Sequence, residues 1–344
     1  MRVLDRLDQL YAIGGGPGAN RLGYSPEEDE AHALASGWME EAGLEIEVDL
    51  AGNLFGRSSS AVGIWTGSHL DSVPQGGKFD GALGVVAAIE AVERTGRGTV
   101  VVFREEERGC VGSRAFVERG PLPDAFVELH IEQGPRLAGA GAPVGVVTGI
   151  VGYARGEVIV EGAAGHAGTT PMDDRDDALV KAARSILRLE EEARAIPDAV
   201  ATVGRIEAEP GGINVIPGRV RYSVDVRAPD RDRLDRLIAL AGIDHAHAAA
   251  PAEMSPRVIG ALREEIAARG LPVVELASGA GHDAGVLAAA GVPSGMLFVR
   301  SLNGGVSHSP DELSSDEDVA LAVDVLSAAL LSLQADAGAA EHLA

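Results

Sequence analysis

The feature that most constrains the fold is an alternation of apolar runs with helical patterns in the first 150 residues. Residues 61–66 and 99–103 are apolar runs typical of buried strands, and residues 82–94 between them carry apolar side chains at helical spacing. A third such run covers residues 126–131. This order predicts an α/β fold with a mostly parallel sheet, whose ligand sites lie beyond the carboxyl ends of the strands.

The pattern changes near Gly152, where alternating strands replace the apolar runs. A small α+β domain is predicted there from strands at 155–161, 201–207 and 219–227 and helices at 174–196 and 230–241. The chain then returns to the α/β pattern with a helix at 256–269, strands at 272–276 and 294–299, and a last helix at 315–333. We therefore predict an α/β domain made of residues 1–151 and 255–344, interrupted by an inserted α+β domain, residues 152–254.

Charge and composition exclude several kinds of partner. The net charge is −23, from 52 acidic and 29 basic residues, and such a surface repels phosphate backbones and anionic lipids. Aromatic residues make up 3% of the chain, too few for base-stacking platforms. We expect no nucleic-acid or membrane partner, and no apolar run of the ~18–20 residues that span a bilayer. An anionic substrate remains possible, because a local cluster of Arg or metal reverses the potential in a cleft.

The cysteine content and the N-terminal residues predict a cytoplasmic protein. Cys110 is the single cysteine, so no internal disulfide forms and a reducing compartment is expected. Cys110 itself is interpreted as a small, half-buried residue rather than a nucleophile. The first residues are amphipathic and include Asp5, unlike a signal peptide.

The first cluster of reactive residues follows the predicted strand at 61–66. His69 and Asp80 lie eleven residues apart in a Gly-rich loop, a spacing that allows them to bind the same or adjacent metal ions. Asp71 is suited to hold the other imidazole nitrogen of His69. A buried, hydrogen-bonded histidine beside a turn aspartate is an equally good interpretation of this loop taken alone.

Three further clusters follow strands in the same way. The second cluster is Glu105, Glu106 and Glu107, directly after residues 99–103. Taken alone, three acidic residues indicate a solvated turn. Beside a metal ion, one carboxylate would bind the metal while its neighbour takes a proton from metal-bound water. His130 ends the run at 126–131, and His308 lies in the loop before the last helix. Single loop histidines are commonly structural. Four such clusters at predicted strand ends favour one common metal site.

Eight motifs make the sequence similar to a known family. It resembles the hydantoinase/carbamoylase amidases, which comprise N-carbamoyl-L-amino-acid hydrolases, bacterial β-ureidopropionases and allantoate amidohydrolases, within the superfamily of dinuclear-zinc aminopeptidases and deacylases. HIEQGP and GGKFDGALGV are the most specific motifs, and the resemblance covers residues 20 to 330. The matching stretches are GSHLDSVPQGGKFDGALGV, EEERGCVGSRAF, ELHIEQGP, GHAGTTPMDDRDDA, GGINVIPG, DVRAPD, SGAGHDA and SHSPDE.

The resemblance implies a role for each matching residue of the metal site. Two divalent metal ions are implied, with Asp80 bridging them and Glu106 as the general base for the bridging water and the acid for the departing nitrogen. Asp71 is implied as a catalytic residue that supports His69. The implied terminal ligands are His69, Glu107, His130 and His308. Zn²⁺ suits this set best, and Mn²⁺, Co²⁺ or Ni²⁺ would also fit its mixed N/O ligands.

The resemblance also implies residues that hold the substrate. His166 would hydrogen-bond the developing oxyanion, and Gln133, Asn214 and Arg227 would hold the amide and carboxylate groups. From the residues alone, an Arg at a strand end indicates a surface ion pair, and an Asn before Val-Ile-Pro indicates a turn. His282 and Asp283 remain open as residues that support the site.

The sequence departs from the family pattern in three places. EEERGC replaces the family's Glu-Glu-Gly-x-Arg-Phe, so base and ligand are Glu105 with Glu106 or Glu106 with Glu107. Counting forward from Phe103 and back from the glycines that follow favours the second pair. The segments 108–129 and 228–255 are shorter than usual, and the second lacks one strand or part of one.

The expected function is hydrolysis of N-carbamoyl-L-amino acids to amino acid, CO₂ and ammonia, on a small substrate that bears a carboxylate and a carbamoyl or ureido group. Allantoate amidohydrolase or β-ureidopropionase activity is the first alternative. A dinuclear-metal peptidase or deacylase follows, and a metal-binding scaffold without turnover comes last. The resemblance further implies that residues 152–254 form a lid that pairs with its copy in a homodimer, with His166 serving its own or the partner's site.

Overall fold

We describe the chain from a computed structural model, in which residues 2–60, 63–243 and 247–341 are described, the last six of these without side chains. The helices are α1 Arg2–Ala12, α2 Pro26–Glu41, α3 Ala82–Thr95, α4 Val111–Arg119, α5 Arg136–Ala140, α6 Ala178–Ala195, α7 Arg231–Ala241, α8 Pro256–Ala268, α9 Asp283–Ala289 and α10 Asp316–Glu341. The strands are β1 Glu45–Val48, β2 Leu54–Arg57, β3 Ile64–His69, β4 Thr99–Phe103, β5 Ala125–Ile131, β6 Val144–Ile150, β7 Gly152–Glu161, β8 Gly165–His166, β9 Val200–Thr202, β10 Ile206–Glu209, β11 Val215–Ile216, β12 Arg219–Ala228, β13 His247–Ala249, β14 Ala252–Glu253, β15 Glu275–Ser278 and β16 Ser294–Val299.

The chain divides into two compact units, which we call unit 1 (residues 1–149 and 253–344) and unit 2 (residues 150–252). Unit 1 contains a nine-stranded sheet in the order β1-β2-β4-β3-β5-β16-β6-β14, with β15 paired to β6. The central strands β4, β3, β5 and β16 are parallel, whereas β1, β2 and β6 pair antiparallel with their neighbours. The predicted α/β class with a mostly parallel central sheet is confirmed.

The four central strands are buried along their whole length, which explains their apolar composition. Alternate side chains serve opposite faces of the sheet. One face packs against α3, α8 and α10 in the main core, through residues such as Val100, Val102 and Val127. The other carries an aromatic cluster to which α4 contributes one ring: Phe55, Trp65, Phe103, Phe116 and Phe126.

The last helix is the one described segment that is long and apolar enough to cross a membrane by length and composition alone. This stretch, Asp316–Ala335, is 61% buried within the structure, as is usual for a core helix. The expectation that no run reaches that length was therefore wrong. The stretch owes its apolar composition to its packing against α3 and α8.

Unit 2 contains a five-stranded sheet, in the order β10-β12-β7-β13 with β9 also on β12, and a two-stranded ribbon of β11 and β8. Along β12 every second residue is buried, from Val220 to Ala228, and these side chains form the unit's core with those of α6 and α7. The alternation predicted at 219–227 thus reflects one covered face and one open face.

Several element boundaries differ from the predictions for local reasons. The helix expected at 174–196 begins at Ala178, because the Asp177 side chain caps it by accepting from the N–H groups of residues 179 and 180. The strand expected at 201–207 is two strands, β9 and β10. Between them, Arg205 donates its N–H to the Ser223 hydroxyl instead of to a neighbouring strand carbonyl.

Two further boundaries were misplaced. The strand expected at 61–66 is β3, which runs to His69; residues 61 and 62 lie outside the described residues. The strand expected at 272–276 is β15, which begins at Glu275. In the shortened segment 228–255 the structure describes the short strands β13 and β14, and residues 244–246 are not described.

Candidate metal centre

The candidate site lies at the carboxyl ends of the four parallel strands of unit 1. β3 ends at His69, and Glu105, Glu106 and Glu107 follow β4. His130 is the penultimate residue of β5, and His308 lies in the loop that follows β16. These strands are neighbours in the order β4-β3-β5-β16. Side chains 239 residues apart in sequence, His69 and His308, therefore meet at one edge of the sheet, as the parallel arrangement predicts.

Asp80 lies between two groups of possible metal ligands. Its Oδ1 is 3.2 Å from His130 Nε2 and 3.8 Å from His69 Nε2. Its Oδ2 is 3.3 Å from His308 Nε2, which is 3.5 Å from Glu107 Oε2. In each group the ligand atoms lie within 4.8 Å of one another. The two groups share the Asp80 carboxylate, and imidazole nitrogen and carboxylate oxygen are atom types that bind divalent cations in proteins.

The histidine tautomers suit metal binding. His130 Nδ1 lies 2.8 Å from the carbonyl oxygen of Ile131, and His69 Nδ1 lies 3.2 Å from the carbonyl oxygen and from Oδ1 of Asp71. These oxygens only accept, so Nδ1 carries a proton in both rings, and Nε2, the ring nitrogen on the side of Asp80, is the atom that a metal ion would bind. Gly81 allows this approach, because a Cβ at this residue would lie 2.4 Å from the His69 ring.

Asp71 connects the first two clusters. Its Oδ1 accepts from the backbone N–H of Glu106 at 2.9 Å and its Oδ2 from that of Glu107 at 3.1 Å. Asp71 therefore orients the His69 ring and the glutamate turn together. Glu105 lies apart from the histidines, with its carboxylate accepting from Arg108. The geometry thus favours Glu106 with Glu107 over Glu105 with Glu106.

The carboxylates of the site are buried close to one another. Burial, reinforced by Asp80, raises the pKa of Glu107 to about 7. Burial also raises the pKa of Glu106 well above its usual value, with Asp283 and Glu107 adding to the effect. Among the described residues, Glu107 Oε1 is buried and has no hydrogen-bond partner. A divalent cation would neutralise these carboxylates and could bind Glu107 Oε1, so the residues fit a metal site.

The Glu106 carboxylate is buried between His69 and Cys110. Its Oε2 lies 3.8 Å from His69 Nε2, and its Oε1 accepts from the Cys110 thiol at 3.5 Å. Cys110 is buried, and its burial beside Glu106 raises the pKa of the thiol well above its usual value. A thiol in this environment stays protonated and acts as a hydrogen-bond donor rather than as a nucleophile.

Two glutamates that support the site were missed by the sequence reasoning. Glu128 Oε1 accepts from Ser68 and its Oε2 from the N–H of Ala284 at the start of α9. Its position two residues before His130 on a strand places both on one face, which was an available signal. Glu312, four residues after His308, accepts from the backbone N–H groups of Phe79 and Asp80.

His282 and Asp283, left open by the sequence, are both buried beside the site. The ring of His282 lies 4.6 Å from that of His130 between centroids, and its Nε2 lies 2.8 Å from the Ser278 hydroxyl. Burial lowers the pKa of His282 well below its usual value, which keeps the ring neutral. Burial raises the pKa of Asp283 to about 8, with Glu128 adding to the effect.

The residues predicted to hold the substrate fall into both units. Gln133, in unit 1, donates from Nε2 to Asp80 Oδ2 and to the Ser307 hydroxyl. In unit 2, His166 is exposed on β8 and Asn214 is exposed just before β11, its partner strand. Arg227, on β12, pairs through Nε and Nη2 with Asp225. The structure thus brings Gln133 to the metal ligands and His166 close to Asn214.

Comparison with known sequences identifies the family. The sequence model of peptidase family M20/M25/M40 matches residues 65–332. The chain belongs to this family. Within it, the chain is a hydantoinase/carbamoylase amidase, a hydrolase of carbon–nitrogen bonds in linear amides other than peptides. M20 family enzymes bind divalent metals, and the structure provides candidate ligand groups for them.

Relatives of this M20 family amidase are similar over nearly their whole length. The N-carbamoyl-L-amino acid amidohydrolase of Geobacillus stearothermophilus is 39% identical, with 94% of this chain and 96% of the relative aligned. The allantoate amidohydrolase of Bacillus subtilis is 35% identical, covering 96% and 97%. The crystal structure of a hydantoinase/carbamoylase family amidase from Burkholderia phymatum has a TM-score of 0.86 at 30% identity, covering 97% of each chain.

Proposed function

We propose that this M20 family amidase hydrolyses N-carbamoyl-L-amino acids, releasing the amino acid, CO₂ and ammonia. The observation that carries the proposal is the pair of ligand groups sharing Asp80, with Glu106 beside them. A relative named for this reaction is 39% identical, and one named for allantoate is 35% identical. Allantoate amidohydrolase activity is therefore the second candidate, followed by β-ureidopropionase and then by peptidase or deacylase activity.

Two divalent metal ions would be held by His69, His130 and Asp80 on one side and by Asp80, Glu107 and His308 on the other. Three imidazoles with carboxylates suit Zn²⁺ first, and Mn²⁺, Co²⁺ or Ni²⁺ as alternatives. When bound, such ions polarise the carbamoyl carbonyl and lower the pKa of water, which a poorly electrophilic urea-like carbon requires.

Glu106 would act as the general base and then the general acid. Its carboxylate takes a proton from the attacking water as the oxygen bonds to the carbamoyl carbon. It returns that proton to the nitrogen that departs when the C–N bond breaks. The carbamic acid left behind then loses CO₂, which releases the second nitrogen. The backbone bond from Glu106 to Asp71 supports this role, because it fixes the turn that carries the carboxylate.

Four residues are proposed to hold the substrate. His166 Nδ1 accepts from the N–H groups of Gly168 and Thr169, so the ring proton is on Nε2, the donor an oxyanion requires. Arg227 offers a guanidinium fork that suits the substrate carboxylate. Gln133 and Asn214 would bind its amide groups.

We assign catalysis to unit 1 and propose that unit 2 is a lid that also forms a homodimer with its copy. Unit 2 carries exposed apolar side chains, among them Met172, Leu187 and Ile213, which support a protein interface. Light scattering should give twice the chain mass. We also infer a cytoplasmic location, which the buried free thiol of Cys110 supports.

The test is ammonia release by metal-loaded enzyme from N-carbamoyl-L-amino acids, N-carbamoyl-β-alanine and allantoate, with metal-stripped enzyme as control. Metal-dependent turnover of an N-carbamoyl-L-amino acid, at the highest kcat/KM of the panel, supports the proposal. Preference for allantoate or N-carbamoyl-β-alanine selects the matching alternative. Cleavage of dipeptides or N-acyl amino acids alone would overturn the carbamoyl assignment.

A further inference from the structure

Glu312 connects two loops of the candidate site and has no role in the proposed reaction. Its side chain is 4% exposed, although it belongs to the loop that carries His308. Oε2 accepts from the backbone N–H of Phe79 at 2.8 Å and from that of Asp80 at 3.1 Å. Oε1 accepts from the Ser307 hydroxyl at 2.9 Å. One buried carboxylate thus connects the segment before His308 to the segment that ends at Asp80.

The opposite loop is shaped to receive this carboxylate. A Cβ at Gly77 would lie 2.1 Å from Glu312 Oε2 and 2.2 Å from its Cδ, distances that no real Cβ tolerates. Any other residue at Gly77 would therefore push the carboxylate away from the N–H groups of Phe79 and Asp80. The Gly-Gly-Lys-Phe-Asp loop needs glycine here for a contact with Glu312 and not for a left-handed turn, since no positive φ is found at Gly77.

A second set of hydrogen bonds closes the link at the side chain of Asp80. Gln133 Nε2 donates to Asp80 Oδ2 at 3.0 Å and to the Ser307 hydroxyl at 3.1 Å. Glu312 thus holds the backbone of Asp80, and Gln133 holds the Asp80 carboxylate. Both Glu312 and Gln133 are hydrogen-bonded to the Ser307 hydroxyl. Because Asp80 and His308 belong to these two segments, Glu312 restrains the position of each relative to the other.

We propose that Glu312 is a positioning residue of the metal centre, which sets the spacing between Asp80 and His308 by holding the loops that carry them. The inference rests on the proposed two-metal function. A residue that orients a metal ligand typically changes metal affinity or activity about 10- to 100-fold when it is replaced. A residue that only closes a loop would change the stability of the metal-free protein and leave metal affinity unchanged.

The experiment measures Zn²⁺ affinity by competition with a chromogenic chelator, on variants whose metal-free form is folded by circular dichroism. Glu312→Asp draws the carboxylate back by one methylene, and Gly77→Ala displaces it without changing it. Both should lose about 10- to 100-fold in affinity for at least one ion, and kcat should fall more than KM rises. In Glu312→Gln the side-chain oxygen still accepts from both N–H groups. The Zn²⁺ affinity of this variant should therefore lie between that of the other two variants and that of the wild type.

Asp311→Asn is the matched control, because it removes an exposed negative charge from the same loop. It should bind Zn²⁺ as the wild type does. Ser307→Ala removes one hydrogen bond of the Glu312 carboxylate without crowding the loop. It should lower Zn²⁺ affinity by a smaller factor, and it replaces Glu312→Asp and Gly77→Ala if those variants do not fold. Wild-type affinity in Glu312→Asp, Gly77→Ala or a folded Ser307→Ala overturns the inference. Failure of the wild type itself to bind metal would instead overturn the proposed function.

Discussion

The predicted site residues of the two units differ in how they are held. In unit 1, His69, Asp80 and His130 are buried and His308 is exposed. Each of these residues contacts a side chain on another segment of the chain. In unit 2, His166 and Asn214 are exposed, and among the described residues the His166 ring accepts hydrogen bonds from the backbone N–H groups of residues 168 and 169. The candidate residues of unit 1 are thus linked to distant segments of the chain, whereas His166 of unit 2 is linked to its own turn.

The largest expected effect separates proton transfer from metal binding within unit 1. Glu106→Gln should lower kcat by about 10²–10⁴-fold, because it removes the general base while preserving the shape of the side chain. Metal content should stay at the wild-type value. Glu105→Gln is the matched control and should retain activity, since Glu105 faces Arg108. Equal losses in both variants would contradict the assignment of Glu106.

The next effect tests whether unit 2 serves the reaction without holding metal. His166→Ala should lower kcat by about 10²–10³-fold, the usual cost of removing one oxyanion donor. Its metal affinity should equal that of the wild type, whereas His69→Ala should lose metal. Steady-state kinetics and chelator competition on both variants give the comparison. Loss of metal in His166→Ala would break the proposed division of roles.

A smaller effect concerns recognition of the substrate carboxylate. Arg227→Lys keeps the positive charge but cannot form two parallel hydrogen bonds to a carboxylate. KM should therefore rise about 10- to 100-fold, which corresponds to the loss of one charge-assisted hydrogen bond of about 1.5–3 kcal/mol. The value of kcat should change little. Arg221→Lys, on the same strand, is the control. An unchanged KM would show that Arg227 pairs with Asp225 and does not bind the substrate carboxylate.

A last effect concerns stability and follows from burial in unit 1. Burial lowers the pKa of His32 to about 3, with Arg104 adding to the effect, whereas the unfolded chain has a pKa of about 6.5. Between these values the unfolded chain binds one more proton, so stability falls as pH falls, by up to about 1.4 kcal/mol per pH unit. His32→Leu should flatten that slope in urea unfolding measured from pH 7 to 4. Equal slopes in His32→Leu and the wild type would contradict the account.

The fold was largely predictable because its central strands are buried on both faces. Such strands read as continuous apolar runs, and the predicted bounds of β4 and β16 match the structure. The division at 201–207 was not predictable, since it depends on Ser223 of a neighbouring strand. A side-chain bond of this kind leaves no periodic signal.

The site was predictable where strand ends meet and unpredictable where loops cross. The clusters at His69, Glu106, Glu107, His130 and His308 each lie at or after the end of a strand, so the topology of the sheet brings them together. Glu312 and Phe79 are 233 residues apart, and Glu128 and Ala284 are 156 apart. Contacts at such separations depend on how the loops pack, which spacing in the sequence does not encode.

The most direct test of the central claim is the number of metal ions bound per chain. Native mass spectrometry of the Zn²⁺-saturated protein should give two ions per chain, and Asp80→Ala, which removes the carboxylate common to both ligand groups, should give fewer. Two ions in the wild type and a loss in Asp80→Ala would agree with a shared site. One ion or none in the wild type, or two ions retained by Asp80→Ala, would contradict it.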